Sequence, residues 1–210
     1  MKASDLFVRC LENEGLEYIF GVPGEENADF MISLIGSRVR FVVCRHEQAA
    51  AFMADAYGRL TGKPAACLGT LGPGATNLIT GVADANMDRA PMVAIAGQGS
   101  TARMHKESHQ ILDLVNLFQP ITKYSTQIRL PEIIPEIVRK AFKTAQMEKP
   151  GCSFIDLPEN IAEAVSKLLS SNGRRCPSSP DRSTGTLVPA SRFAASFQPR
   201  SAGSTAATRV

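Results

Sequence analysis

Short apolar runs alternate with helix-type segments along residues 1–165, and this alternation is the feature that most restricts the fold. The runs have the length and β-branched content of buried strands, and most lead through a Gly- or Pro-containing loop into a helical pattern. They lie at 18–22, 39–44, 65–70, 91–97 and 152–157. Strands that alternate with helices through short loops predict right-handed crossover units. We therefore expect an α/β domain, a doubly wound and mostly parallel sheet with helices on both faces.

The carboxyl-terminal part of the chain has a different composition. Residues 166–210 are rich in Ser, Arg, Pro, Gly, Thr and Ala, and they contain no helical or alternating pattern long enough to bury a face. Such a segment gains too little from burial to offset the conformational entropy that ordering would cost. We predict a folded domain over 1–165 and a low-complexity tail over 166–210, which is either disordered or sequence read in the wrong frame.

The basic charge of the chain comes from this tail. Residues 166–210 hold seven Lys or Arg and one Asp, which leaves 16 basic and 19 acidic residues for residues 1–165. A mildly acidic domain offers no basic surface for phosphate backbones, so we expect no nucleic-acid partner.

Neither a membrane segment nor a disulfide framework is predicted. No run of about 18 apolar residues is present, and no signal-peptide pattern precedes the first amphipathic segment. The five cysteines, at positions 10, 44, 67, 152 and 176, include no Cys-x-x-Cys pair. This pattern is typical of buried, reduced thiols. We expect a cytoplasmic protein without a membrane anchor.

Glu47 is the charged residue with the most unusual setting. It lies between an apolar strand, 41–44, and an Ala-rich helical segment that begins at Gln48, so it falls in the first helical turn. One interpretation is that Glu47 only complements the positive end of the helix dipole. The other is a ligand site, because the alanines that follow allow close approach by a second helix or a ligand.

The loop Gly72-Pro-Gly-Ala-Thr-Asn77 follows a strand and precedes a helix, which is where open α/β sheets bind ligands. It is not a phosphate-binding P-loop, because no Gly-Lys-Ser/Thr follows it, and it lacks the third glycine of the dinucleotide fingerprint. His105 and His109 have the spacing of a zinc-binding helix, but no third ligand pattern accompanies them. We predict no metal site within the chain.

Several motifs in a fixed order resemble the amino-terminal, pyrimidine-binding domain of thiamine-diphosphate enzymes of the acetolactate synthase type. The resemblance covers roughly residues 1–165. The motifs are Gly21-Val-Pro-Gly24, the segment from Arg45 to Arg59, Gly72-Pro-Gly-Ala-Thr-Asn77, Asp88-Arg-Ala-Pro91 and Gly97-Gln98.

The resemblance implies a catalytic role for Glu47, whose counterpart hydrogen-bonds N1′ of the aminopyrimidine ring of thiamine diphosphate. It places Pro23, Pro73 and Asn77 in loops that approach the cofactor, and Gln110 in the pocket for a 2-oxo acid. His109 stands next to Gln110, where the family usually has Phe, and is a candidate for substrate contact. The implied reaction removes carbon dioxide from one 2-oxo acid and joins the remainder to a second, as in branched-chain amino acid biosynthesis.

In the family the cofactor lies between two subunits, so the resemblance also implies a homodimer that pairs through the Glu47 helix. Members hold Mg²⁺ and the diphosphate through a Gly-Asp-Gly motif in a later domain, and some use FAD. This chain contains no Gly-Asp-Gly. We therefore expect a fragment that is inactive alone. The alternatives are a non-catalytic binding or dimerisation module that retains the fold, and a Rossmann-type dinucleotide binder.

Overall fold

A computed structural model describes residues 1–104 and 106–166, within which six strands form one sheet. Every neighbouring pair of strands is parallel, and the order across the sheet is β2-β1-β3-β4-β6-β5. The strands are β1 (Tyr18–Gly21), β2 (Arg40–Val43), β3 (Ala65–Gly69), β4 (Met92–Gln98), β5 (Tyr124–Gln127) and β6 (Cys152–Pro158). The predicted doubly wound α/β fold is confirmed, and the described sheet is wholly parallel.

Helices cover both faces of the sheet. Helices α1, α2, α6 and α7 pack on one face, and α3, α4 and α5 pack on the other. Their bounds are α1 (Ala3–Asn13), α2 (Ala28–Leu34), α3 (Glu47–Thr61), α4 (Pro73–Met87), α5 (Leu114–Phe118), α6 (Ile134–Gln146) and α7 (Glu159–Glu163). Alternate residues of a central strand feed the two cores. In β3, Ala66 and Leu68 belong to the first core, whereas Ala65 and Cys67 belong to the second.

Two helices begin with a tight 3₁₀ turn. Before α2 this turn is Glu25–Asn27, and the side chain of Asn27 accepts a hydrogen bond from Gly24 N over 2.9 Å. Before α6 the turn is Pro131–Ile133. In both cases the 3₁₀ turn tightens the entry to the helix that follows.

The cysteines at positions 10, 44, 67 and 152 are buried, and burial raises the pKa of Cys67 and Cys152. Position 176 and the rest of the predicted tail lie outside the described residues, apart from Ser166, whose N–H bonds to Met1 O. Within 1–104 and 106–166, no helix is long and apolar enough to cross a membrane. The same residues contain no group of three His, Cys, Asp or Glu side chains placed to hold a metal ion.

The strand order creates a crevice at one place in the sheet. The chain passes from β1 to β2 on one side and returns to β3 on the other side of β1, so the connections leave β1 and β3 in opposite directions. Open α/β sheets bind ligands at such a point, outside the carboxyl ends of the strands. The order also differs from the 3-2-1-4-5-6 order of dinucleotide-binding folds. The loops after β1 and β3 and the start of α3 all lie at this edge.

Candidate functional site

Glu47 is the first residue of α3, as the sequence predicts. His46 caps the helix, since its Nδ1 accepts a hydrogen bond from Gln48 N over 3.2 Å. Glu47 is only 8% exposed, so its carboxylate is largely withdrawn from water. The free N–H groups of a first helical turn favour a negative charge at this position.

Asn77 holds one oxygen of this carboxylate. Its Nδ2 donates to Glu47 Oε2 over 3.0 Å. Asn77 lies near the start of α4, after Gly72 (φ 53°) and Pro73 have turned the chain into the helix. The structure thus brings together Glu47 and Asn77, two residues that the sequence analysis assigns to one site and that are 30 positions apart.

Small residues allow α3 and α4 to approach closely enough for this contact. Ala51 and Ala54 of α3 are fully buried. A Cβ atom added to Gly81 of α4 would lie 2.6 Å from the Cβ of Ala51, closer than side chains tolerate. The run of alanines in α3 is therefore a packing surface for α4.

Gly74 packs closely against Thr70, next to the second carboxylate oxygen. A Cβ atom at this position would lie 3.4 Å from Glu47 Oε1 and 2.7 Å from Thr70 Cγ2, closer to that methyl group than side chains tolerate. No hydrogen bond joins Oε1 to the described residues, whereas Oε2 is held by the Asn77 amide over 3.0 Å.

Thr70 connects the loop that contains Pro23 with the loop that contains Pro73. A Cβ atom on Gly24 would lie 2.8 Å from Thr70 Cβ, and Thr70 Oγ1 donates to Glu26 Oε2 over 2.5 Å. Pro23 and Pro73 are both exposed at this edge of the sheet. Thr70 was not identified from the sequence, although a hydroxyl residue at the end of a strand of small, apolar residues could have indicated a site residue.

Gln110 also reaches this site. Its backbone has φ 56°, a left-handed conformation that is uncommon for a residue with a side chain. A Cβ atom on Gly72 would lie 2.5 Å from Gln110 O and 2.8 Å from its Cβ, so Gln110 packs directly on the turn that starts α4. His109 is exposed, and no hydrogen bond or ion pair joins it to the described residues.

An apolar stripe runs along the exposed side of α3. Its residues follow one another at helical spacing and are Ala49, Phe52, Met53, Ala56 and Leu60. Phe52, Met53 and Leu60 are 38%, 45% and 86% exposed. We call these five residues the α3 stripe. Contiguous exposed apolar surface of this kind marks an interaction site more often than scattered residues do.

A charged cluster links α3 and α4 near their carboxyl ends. This cluster was not predicted from the sequence. Arg59 of α3 donates to Asp55 Oδ1 over 2.8 Å and to Asp84 Oδ2 over 2.7 Å, and it also pairs with Asp88. Hydrogen bonding to Asp55 is the main reason that the pKa of Arg59 is raised. Because Asp84 belongs to α4 and Asp88 directly follows it, this arginine ties α3 to α4 two to three turns beyond Glu47.

Known proteins share this sequence over most of the folded part. The family described as "Thiamine pyrophosphate enzyme, N-terminal TPP binding domain" matches residues 1–117. A "Probable acetolactate synthase large subunit" from Methanocaldococcus jannaschii is 42% identical over 163 residues, which is 78% of this chain and 28% of that protein. The "Acetolactate synthase" of Bacillus subtilis is 43% identical over 164 residues, 78% of this chain and 29% of that protein.

A third relative, the "Acetolactate synthase, catabolic" of Raoultella terrigena, is 38% identical over 190 residues, 89% of this chain and 34% of that protein. The chain thus spans about a third or less of the length of these relatives. The family match includes Glu47, Asn77 and the loops around them. The chain belongs to the family of thiamine pyrophosphate enzymes, through an N-terminal TPP-binding domain of the acetolactate synthase type.

Proposed function

We propose that Glu47 binds the aminopyrimidine ring of thiamine diphosphate and exchanges a proton with it during the decarboxylation of a 2-oxo acid. The observation that carries the proposal is the arrangement around Glu47: Asn77 holds one carboxylate oxygen, and the other makes no hydrogen bond to the described residues and lies beside Gly74, which carries no side chain. A glutamate that only complements the helix dipole needs no such fixed orientation.

The residues present suit the ring. A ring nitrogen needs a carboxyl oxygen with which to share a proton, and Glu47 Oε1 has no hydrogen-bond partner among the described residues that would compete for it. The low exposure of Glu47 limits competition from water for a hydrogen bond to this oxygen. Pro23 and Pro73 would bound the ring from the loops after β1 and β3.

When bound, thiamine diphosphate supplies the electron sink for loss of carbon dioxide from a 2-oxo acid. Glu47 would hold and release the proton at N1′, and the Asn77 amide would keep its carboxylate oriented while it does so. Gln110, packed against Gly72, would contact the 2-oxo acid together with His109. The names of the relatives support addition of the remaining unit to a second 2-oxo acid. Those names include a catabolic enzyme, so the proposal does not extend to branched-chain amino acid biosynthesis.

Other groups would bind outside the described residues. Among residues 1–104 and 106–166 no cluster of side chains is placed to hold a metal ion. We infer that Mg²⁺ and the diphosphate, and FAD where an enzyme of this type uses it, are held by further parts of a longer protein. The buried thiols of Cys44, Cys67 and Cys152 take part in no disulfide and favour a reducing compartment, which supports a cytoplasmic location.

The α3 stripe supports a homodimer. Glu47 and the stripe belong to the same 15-residue helix, so a second copy packed on the stripe would also border the site. Closed twofold pairing of identical surfaces is the commonest form of protein assembly. We propose that two copies pair through α3.

Titration of the whole chain with thiamine, followed by NMR, tests the site. Thiamine carries the aminopyrimidine ring without the diphosphate, so Mg²⁺ is not needed. We expect the side-chain amide of Asn77 and the backbone amide of Gly74 to shift. Glu47→Gln should weaken binding about tenfold, because it replaces a charge-assisted hydrogen bond with a neutral one.

Glu132→Gln is the matched control, since Glu132 also occupies a first helical turn but follows the edge strand β5. This variant should bind thiamine like the unmodified chain. Absence of any shift at Asn77 would favour the alternative of a non-catalytic module that retains the fold.

A further inference from the structure

Asp156 is a buried carboxyl group outside the site described above. It lies on β6 and is 1% exposed. Gln127, its partner in the register of β5 and β6, donates from Nε2 to Asp156 Oδ2 over 2.7 Å. Asp156 Oδ1 has no hydrogen-bond partner among residues 1–104 and 106–166. A buried polar atom left unpaired is costly, so its presence calls for a functional explanation.

The second buried polar group of this region, Gln98, lies at the end of β4 on the other side of β6. Its Nε2 donates to Leu112 O over 3.0 Å, and its Oε1 accepts from Gly99 N over 3.1 Å. One fully buried side chain therefore ties down both ends of residues 99–112. We call residues 99–112 the Gln110 segment, because they carry Gln110 to its position on Gly72.

Side chains of α7 also hold the start of the Gln110 segment. Ser100 N donates to Glu159 Oε1 over 2.9 Å, and Thr101 N donates to Asn160 Oδ1 over 3.0 Å. None of the described residues of the segment belongs to a strand or an α-helix. Its position thus depends on a few side-chain contacts, of which those made by Gln98 fix both ends.

A cavity of about 1040 Å³ separates part of the Gln110 segment from β5 and α6, and Asp156 lies on its wall. Burial raises the pKa of Asp156 to about 7, against the opposing effect of the hydrogen bond from Gln127. The charged groups that line the same cavity come from four parts of the chain. They are Lys106 of the segment, Asp113 before α5, Arg129 after β5, and Glu136 and Lys140 of α6.

We propose that Gln98, Asp156 and Gln127 form a buried unit that positions the Gln110 segment, and that ionisation of Asp156 loosens this segment. The neutral carboxyl group is tolerated where the protein buries it. The ionised group has an oxygen that needs a donor, and the nearby amide of Gln98 already donates to Leu112 O. When the Gln98 amide turns to donate to Asp156, or when water enters from the cavity, one end of the Gln110 segment is released.

The consequence for the site is that Gln110 keeps its place on Gly72 only while Asp156 is protonated. This consequence rests on the proposed function in one respect, namely that Gln110 faces the 2-oxo acid. Gln98, Asp156 and Gln127 are positioning residues, since none of them touches the Glu47 site directly in the contacts described.

Hydrogen–deuterium exchange of the full chain, measured by mass spectrometry at pH 6 and pH 8, tests the proposal without cofactor or substrate. After correction for the intrinsic effect of pH, amides of the Gln110 segment should exchange about fivefold faster or more at pH 8, whereas those of β3 and β4 should not. Asp156→Asn keeps the shape of the side chain but does not ionise, so this difference should disappear. Glu136→Gln, which changes an exposed carboxylate on the same cavity, should retain it.

Gln127→Met provides a second variant if Asp156→Asn fails to fold. It removes a donor to the carboxylate, so the pH at which the segment loosens should move upward. A merely structural role of Gln127 would loosen the segment equally at every pH. The proposal is overturned if the unmodified chain shows no pH-dependent exchange in the segment, or if Asp156→Asn leaves that dependence unchanged. Neither result bears on thiamine binding by Glu47, which the NMR titration measures separately.

Discussion

The Asn77 side-chain amide reaches across from α4 to donate to the Glu47 carboxylate of α3 over 3.0 Å. This hydrogen bond orients Glu47 from a helix other than its own. Asn77→Asp should set two carboxylates against each other and destabilise the fold by about 1–2 kcal/mol at pH 8, with the loss disappearing below about pH 4 as a proton is shared. Urea unfolding at the two pH values measures the effect.

Asn77→Ser serves as the control for the lost hydrogen bond, because it shortens the side chain without adding a charge. Its stability relative to the unmodified chain should depend on pH much less than that of Asn77→Asp. Equal destabilisation by Asn77→Asp at pH 4 and pH 8 would contradict close contact between residues 47 and 77.

The second prediction concerns Gly74, where the effect of a substitution on stability can be distinguished from its effect on ligand binding. Gly74→Ala places a methyl group 2.7 Å from Thr70 Cγ2 and 3.4 Å from Glu47 Oε1, so it should lower the free energy of unfolding by about 1–3 kcal/mol and abolish thiamine binding. Adding Thr70→Ser removes the clashing methyl group. The double variant should regain much of the stability yet still fail to bind thiamine in the NMR titration. Recovery of both properties together would show that a methyl group beside Oε1 does not block the ligand.

Asp156 predicts how stability changes with pH. Its pKa in the folded chain is about 7, above the ordinary value of 3.8, so the folded state holds the proton more tightly than the unfolded state. The contribution of this group to stability therefore falls as pH rises from about 4 to 7, and then stays constant. Asp156→Asn removes this loss and should stabilise the fold at pH 8 by up to roughly 4 kcal/mol.

Thermal unfolding between pH 4 and pH 8 measures that difference. Glu132→Gln, an exposed carboxylate at the start of a helical turn, should leave the pH profile unchanged. If Asp156→Asn is no more stable than the unmodified chain at pH 8, then the carboxyl group of Asp156 is not buried as described.

The α3 stripe predicts a self-association that a single charge disrupts. Met53→Lys puts an ammonium group in the middle of the stripe, where burial against a second copy would strip it of water. We expect sedimentation velocity to show a dimer of the unmodified chain and a monomer of this variant at tens of micromolar. Ile35→Lys, which charges a residue that is 81% exposed at the end of α2, should remain dimeric.

Patterns between neighbours in the sequence predicted most of the fold. The alternation of strands and helices and the place of Glu47 in the first turn of α3 depend on local periodicity and turn residues, and both are present in the structure. The sequence analysis also predicted that residues 47, 77 and 110 share a site, but only through the order of the motifs. Their roles remain predictions.

Contacts between distant polar residues were not predictable in this way. Arg59, Thr70 and Asp156 each have an ordinary solvent-facing explanation when the chain is considered one segment at a time. Their partners come from other helices and strands, so their burial and pairing appear only once the sheet order is known. Local propensity carries no information about such pairs, since it reports only on neighbours along one element.

Helix α3 carries the Glu47 carboxylate at its first residue and the apolar stripe along its outer side, and Arg59 clamps it to α4. If two copies pair through α3 as proposed, the partner chain borders the site, and we expect ligand binding and association to be linked equilibria. A ligand that binds the paired form more tightly then favours pairing, and pairing favours the ligand by the same factor. Apparent affinity for thiamine should accordingly increase with protein concentration, as should the temperature of unfolding.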